Sequence, residues 1–224
     1  MADVAKIVAD AVNGLMETVS GESGQICREA KGYSVAAWRD LQTAKAAAIG
    51  GGAAIVPLAG YVTLPADLAA TLRIMHRAAT GIAFLKLGRA DDETFAAILG
   101  AWSGAVPLDD ELAATVRTAT GNLGPAQSAV DAAIEALTAT AGTLDNGRLS
   151  PAVAQAVAGK IATKLGANVT TRWIPLISAL AGGGTNWWVL SGVSEAAEKY
   201  ADFILEHAGP SATGETAKLR RKAG

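Results

Sequence analysis

The residues able to do chemistry in this chain are few and mostly solitary. Its two histidines, His76 and His207, and its one cysteine, Cys27, are widely separated in the sequence. Neither histidine has a second histidine, a cysteine or a close carboxylate pair at ligand spacing, so no zinc or di-metal site is predicted. Cys27 precedes Arg28, whose charge would lower a thiol pKa slightly, but a lone cysteine on a helix reads as a small core residue. The glycine clusters are not followed by the Lys and Ser or Thr of a phosphate-binding loop, and no serine sits in a nucleophile elbow. The reading is of a protein that is not an enzyme and uses no cofactor or metal.

What remains is binding chemistry. Arg73, His76 and Arg77 share one stretch of helix and form a basic edge suited to a phosphate group, with a solvated helix face as the plainer alternative. Lys160 and Lys164, four residues apart, lead toward Arg172 and are further candidates for head-group or anion contact. Candidates for contact with lipid or an apolar ligand are Pro57, Gly60, Tyr61, Trp173, Pro175, Trp187 and Trp188. Tryptophan and basic residues at the edge of an apolar segment are how interfacial anchoring looks; the alternatives are tryptophans of a core or subunit interface, or a small apolar pocket.

These residues lie in or beside two uncharged apolar stretches, residues 46–66 and 173–194, bounded by Lys45 and Asp67 and by Arg172 and Glu195. Both reach the roughly 20 residues an apolar helix needs to cross a bilayer. Composition argues the other way, because the first holds four glycines and two prolines and the second four glycines, Pro175 and Asn186. The triplets Gly50 to Gly52 and Gly182 to Gly184 would each cost about 1 kcal/mol per residue in an exposed helix, so they require a tight reversal or close backbone contact. Gly100 and Gly104, on either side of Trp102, offer the same close approach.

The elements that must position these residues read as helices. Val4, Val8, Ala11, Val12, Leu15 and Val19 mark one apolar face behind a possible cap at Asp3. Ile26, Ala30, Tyr33, Ala37, Leu41, Ala44 and Ala48 predict one long second helix that the first glycine triplet interrupts. Pro65 opens a third, with Leu68, Leu72, Met75, Ala79, Ile82 and Leu85 as its stripe and Gly88 as its stop. Asp91 to Glu93 and Asp109 to Glu111 each open a further helix, where carboxylates meet free backbone N–H groups. Pro125, Ser150 with Pro151, and Asn186 begin three more, the last running to His207. With no sustained alternating run, strands are not predicted and the class is all-α: a compact multi-helix bundle with two Gly/Pro-rich apolar helical hairpins.

At 224 residues the chain fits one domain, residues 1–208, followed by a flexible basic tail, 209–224, carrying Lys218, Arg220, Arg221 and Lys222. Nineteen basic against 21 acidic residues argue against a nucleic-acid partner held by a broad positive field. Asp3, Lys6 and Asp10 interrupt the N-terminal apolar positions, unlike a secretory signal, and a single cysteine suits a reducing compartment, so the expected location is cytoplasmic.

Two passages taken together, GGGAAIVPLAGYVTLPADLAATLRIMHRAATGIAFLKLGRADD and KLGANVTTRWIPLISALAGGGTNWWVLSGVSEAAEKYADFIL, resemble the EcsC family of bacterial proteins. Pro65, Asp67, Arg77, Gly88, Asp91 and Asp92 carry the first half of the resemblance, and Pro175, Gly182 to Gly184, Asn186, Ala196, Ala197 and Ala201 the second. It implies a helical bacterial protein associated with membrane or lipid rather than an enzyme. The expectation is therefore a cytoplasmic protein bound peripherally to a membrane or lipid surface through its glycine-rich segments. The alternatives are a structural or interaction protein that buries these segments in a homo-oligomer or against a protein partner, and a carrier of an apolar ligand.

Overall fold

The longest helices form the centre on which everything else is hung. The computed structural model describes residues 21–53, 64–123, 128–145, 148–165 and 184–210, with residues 10, 13, 14, 16, 18, 19, 212 and 216. Among these, α1 is Ser23–Ala30, α2 Val35–Ala53, α3 Leu64–Leu87, α4 Asp92–Ser103, α5 Asp110–Gly121, α6 Ala129–Ala141, α7 Pro151–Leu165 and α8 Gly184–His207. The described residues between Asp10 and Val19 are helical as well, with Met16 and Val19 buried.

The central pair, α3 and α8, are both 24 residues long and pack side by side in the same direction. Their register is fixed at two levels. Leu190 joins Ile74 and Ala78 in an apolar cluster near one end, and Lys86 pairs with Asp202 at 2.6 Å near the other. Helix α2 runs antiparallel to both, because Ala46 belongs to the same cluster while Arg39 pairs with Glu198 at 2.8 Å. Such exposed pairs report alignment more than they supply stability, typically about 0–1 kcal/mol each. The packing itself rests on small residues: Trp38, only 1% exposed, lies flat on Gly81 of α3, where a Cβ would overlap its indole ring, and its Nε1–H donates to the Arg77 carbonyl at 3.2 Å.

The acidic helix starts act as the sequence predicts. Asp91 accepts from the Thr94 N–H at 2.8 Å in a capping box, Asp109 from the Leu112 N–H at 3.0 Å, and Ser128 caps α6 in the same way through the Asp131 N–H at 3.1 Å. Gly104 and Gly142 end α4 and α6 in the left-handed conformation.

Three local expectations are corrected. The long second helix is two, because the chain leaves the helical conformation at Lys31 and Gly32 adopts a φ of +94°. The break resets the phase of the buried face, which in α2 is Trp38, Gln42 and Ala46; Tyr33, Ala37 and Ala44 are exposed. The backbone stays helical through Gly50 to Gly52 as far as Ala53, helix propensity being only a weak prior. A two-residue antiparallel ladder, β1 Leu144–Asp145 with β2 Arg148–Leu149, joins α6 to α7, and the Asn146-Gly147 pair between the strands is a hairpin signal the periodicity did not register. Of the expected tail, residues 209–224, the described Ala212 is buried in the main core and Thr216 is 4% exposed. The four basic residues of that tail, and Pro125, lie outside the described residues.

Candidate functional site

A cavity of about 310 Å³ opens where α4, α7 and α8 meet. Its walls include Trp102 and Leu108, Trp188 and Ala196 of α8, and Lys160 of α7, with Glu195 and Lys199 also bordering it. Glycine makes this arrangement possible. A Cβ on Gly192 would stand 2.7 Å from Trp102 Nε1, so only a bare backbone on α8 admits the indole. A Cβ on Gly100 would stand 2.6 Å from Val106 Cγ2, and Val106 N–H donates to the Gly100 carbonyl at 3.1 Å as the chain folds back beneath α4. Of the two glycines around Trp102, Gly100 is thus the close contact, while Gly104, at φ +84°, is the helix terminus.

Trp102 is buried and Trp188 half-buried, their ring centroids 6.1 Å apart and tilted by 49°. The Lys160 ammonium donates to the Trp102 carbonyl and stands 5.0 Å from the centroid of the same indole, a cation–π placement. Burial lowers the Lys160 pKa, and the nearby Lys199 charge lowers it further. Lys199 in turn pairs with Glu195 at 2.8 Å along the exposed edge, and that hydrogen bond holds the Glu195 carboxyl below its usual value. The lining therefore combines two indoles with two ammonium groups and one already-engaged carboxylate.

The other predicted residues are distributed differently. Trp187, adjacent to Trp188, is 57% exposed. Arg73 is paired with Glu22, just before α1, and Arg77 with Glu29, in its last turn, so carboxylates at the two ends of α1 neutralise both guanidinium groups. His76 between them faces the core at 0% exposure and is not part of their edge. Pro57, Gly60, Tyr61, Arg172, Trp173 and Pro175 lie outside the described residues, as does the side chain of Lys164.

His76 instead meets two residues that sequence reasoning passed over. Ser23 Oγ donates to Asp92 Oδ1 at 2.6 Å and lies 3.3 Å from His76 Nε2, while His76 Nε2 and Asp92 Oδ1 are 3.9 Å apart. The Ser23 proton being committed to Asp92, the contact with His76 requires the ring proton on Nε2. His76 Nδ1 is buried without a hydrogen-bond partner among the described residues, and Phe95 packs edge-on at 4.7 Å. Burial pushes the His76 pKa down to about 4, against smaller opposing effects of Asp92 and Glu22. A hydrolytic triad needs the carboxylate on the histidine and the serine proton on the imidazole; here the carboxylate holds the serine. The cluster ties α1, α3 and α4 together, and Gly21 N–H adds a 3.0 Å bond to Asp92 Oδ2. Burial raises the Cys27 pKa to about 11, against the lowering effects of its hydrogen bond to the Ala90 carbonyl, at 3.6 Å, and of Arg28.

A second groove, between α4 and α6, is lined by Glu93, Asp131 and Glu135 with Arg89, whose guanidinium bridges Asp131 at 2.6 Å and Asp91 at 2.7 Å. Among the described residues no group of three or more His, Cys, Asp or Glu is arranged to hold a metal ion, and no helix is long and apolar enough to cross a membrane. Comparison of the chain with family profiles, with characterised proteins and with solved structures yields no match.

Proposed function

We propose that this is a non-catalytic helical protein that associates peripherally with a lipid surface, presenting to it the end of the bundle at which its two apolar stretches join. The alignment of the three long helices carries this reading. Because α3 and α8 run in parallel and α2 against them, the C-terminal end of α2 at Ala53 and the N-terminal ends of α3 at Leu64 and α8 at Gly184 lie at one end of the bundle. The described parts of the two apolar stretches, residues 46–53 and 64–66 of the first and 184–194 of the second, therefore meet at that end, with Trp187 exposed in the first turn of α8. An exposed indole at the edge of an apolar segment is the composition of an interfacial anchor. The resemblance to the EcsC family supports the same reading, with a cytoplasmic location as part of it.

Flotation of the detergent-free protein with vesicles containing phosphatidylglycerol is the test. The expected result is salt-sensitive co-flotation and a blue shift of tryptophan emission that Trp187→Phe diminishes. Absence of flotation over a range of anionic lipid content would overturn the reading. A monodisperse oligomer indifferent to vesicles would replace it with burial of the same face between subunits.

A further inference from the structure

The cavity bordered by Trp102, Trp188, Lys160 and Lys199 is a more specific object than an adhesive surface. Its charged lining consists of two ammonium groups and one carboxylate, and the carboxylate is occupied by Lys199. Lys160 has no carboxylate partner among the described residues. An ammonium has three N–H donors, and the Trp102 carbonyl takes one of them; an aromatic face attracts the charge but accepts no full hydrogen bond. A partly buried cation with donors to spare, held beside a second cation, is stabilised most by an anion placed between the two. The remaining walls, Trp102, Trp188, Leu108, Ala101, Gly192 and Ala196, are apolar except for the indole N–H groups. The volume of about 310 Å³ sits at the small end of ligand cavities and accommodates a head group and its first few carbons rather than a whole acyl chain.

We infer that this cavity is a head-group site for a phosphate-bearing anionic amphiphile, with Lys160 and Lys199 on the phosphate and the Trp102 and Trp188 side chains against the carbons next to it. The inference rests on the lipid reading above for the source of the anion, and it adds a stereochemical site to what would otherwise be a general affinity for interfaces. Glycine at position 192 is part of the site because it lets Trp102 form the wall.

The experiment is a titration of the full, detergent-free chain with dihexanoyl phosphatidylglycerol below its micellar concentration, followed by calorimetry and tryptophan fluorescence. Dihexanoyl phosphatidylcholine and inorganic phosphate serve as comparisons. Saturable one-to-one binding of the anionic lipid is expected, weaker by about tenfold or more for either comparison, as the loss of a charge-assisted contact or of the apolar wall implies. Lys160→Met keeps the aliphatic stem over Trp102 and removes the charge; it should weaken binding by about tenfold or more, and Lys160→Arg by less. Lys199→Gln, on a side chain 68% exposed, cannot disturb the core and should weaken binding by a factor of about three to ten. Absence of saturable binding, equal binding of phosphatidylcholine, or unchanged binding by both lysine variants would overturn the head-group site. Inorganic phosphate binding as tightly as the lipid would overturn it in favour of a free-anion site. Flotation of the same preparations separates the two readings. Vesicle binding without uptake of the short-chain lipid sinks only the cavity, and uptake without vesicle binding sinks only the surface.

Discussion

Trp38 and Trp102 are set into the molecule by the same device and put to different use. Each lays its indole against a glycine of a long helix, Gly81 in α3 for Trp38 and Gly192 in α8 for Trp102. Trp38 is closed in on all sides and its ring N–H is spent on the Arg77 carbonyl. Trp102 has one face toward a cavity and a cation over its ring. A tryptophan–glycine joint thus locks two helices where the surroundings complete it, and becomes the wall of a binding site where they do not. Only the neighbours beyond the joint, Tyr33 stacked edge-on at 5.6 Å in one case and Lys160 in the other, distinguish the two.

The contrast can be broken most directly at the glycines. Gly81→Ala forces a methyl into the sealed Trp38 ring, and overpacking of this kind should cost about 3 kcal/mol, read as a lower midpoint in urea or thermal unfolding. On the same closed side of the bundle, His76 supplies a pH test of nearly equal size. The unfolded chain takes up this proton near pH 6.5 and the folded chain only near pH 4, so the unfolded state binds more protons between those values. Stability is therefore fully present above about pH 6.5 and falls as the pH drops toward 4, by up to about 3 kcal/mol from this group. His76→Gln should flatten that slope whatever it does to stability at neutral pH, and an unchanged slope would show that the histidine is not sealed.

Gly192→Ala should be milder, about 1–2 kcal/mol, because the displaced indole can move into the cavity, and it should alter tryptophan emission and short-chain lipid binding together. Equal costs at Gly81 and Gly192 would erase the distinction between lock and wall. The smallest effect is expected for Lys160→Met, under about 0.5 kcal/mol in stability because the stem still covers Trp102, even as short-chain lipid binding weakens. A larger loss would make Lys160 a structural strut.

Much of the fold was legible because it is written locally. Helix starts at Asp91, Asp109 and Pro151 and the stop at Gly88 depend on contacts within four residues, which spacing alone reveals. The buried face of α2 was not legible, since one positive-φ glycine rotated everything after it and periodicity cannot sense a phase reset between two helices. The candidate site was legible in parts: Lys160 and Trp188 stood out by type, and Trp102 only by its glycines. What joined them was tertiary, a contact across 58 residues between Lys160 and Trp102, and nothing in the local spacing of either announces the other. Ser23 and Asp92 were missed for the same reason, each lying more than 15 residues from His76 and one already explained as part of a helix start.

The pairing of α3 with α8 also sets an order of events. α3 ends at Leu87, and its most extensive partner does not begin until Gly184. During synthesis the faces of α2 and α3 that α8 covers, with Ala46, Ile74 and Ala78 against Leu190 among them, have no cover until α8 has left the ribosome, and closing so long a loop is slow compared with forming any one helix. The emerging chain is thus most exposed to aggregation, and to capture by chaperones, in the interval before residues 184–207 arrive. The order of the helices along the chain sets that interval, and the arrival of α8 ends it.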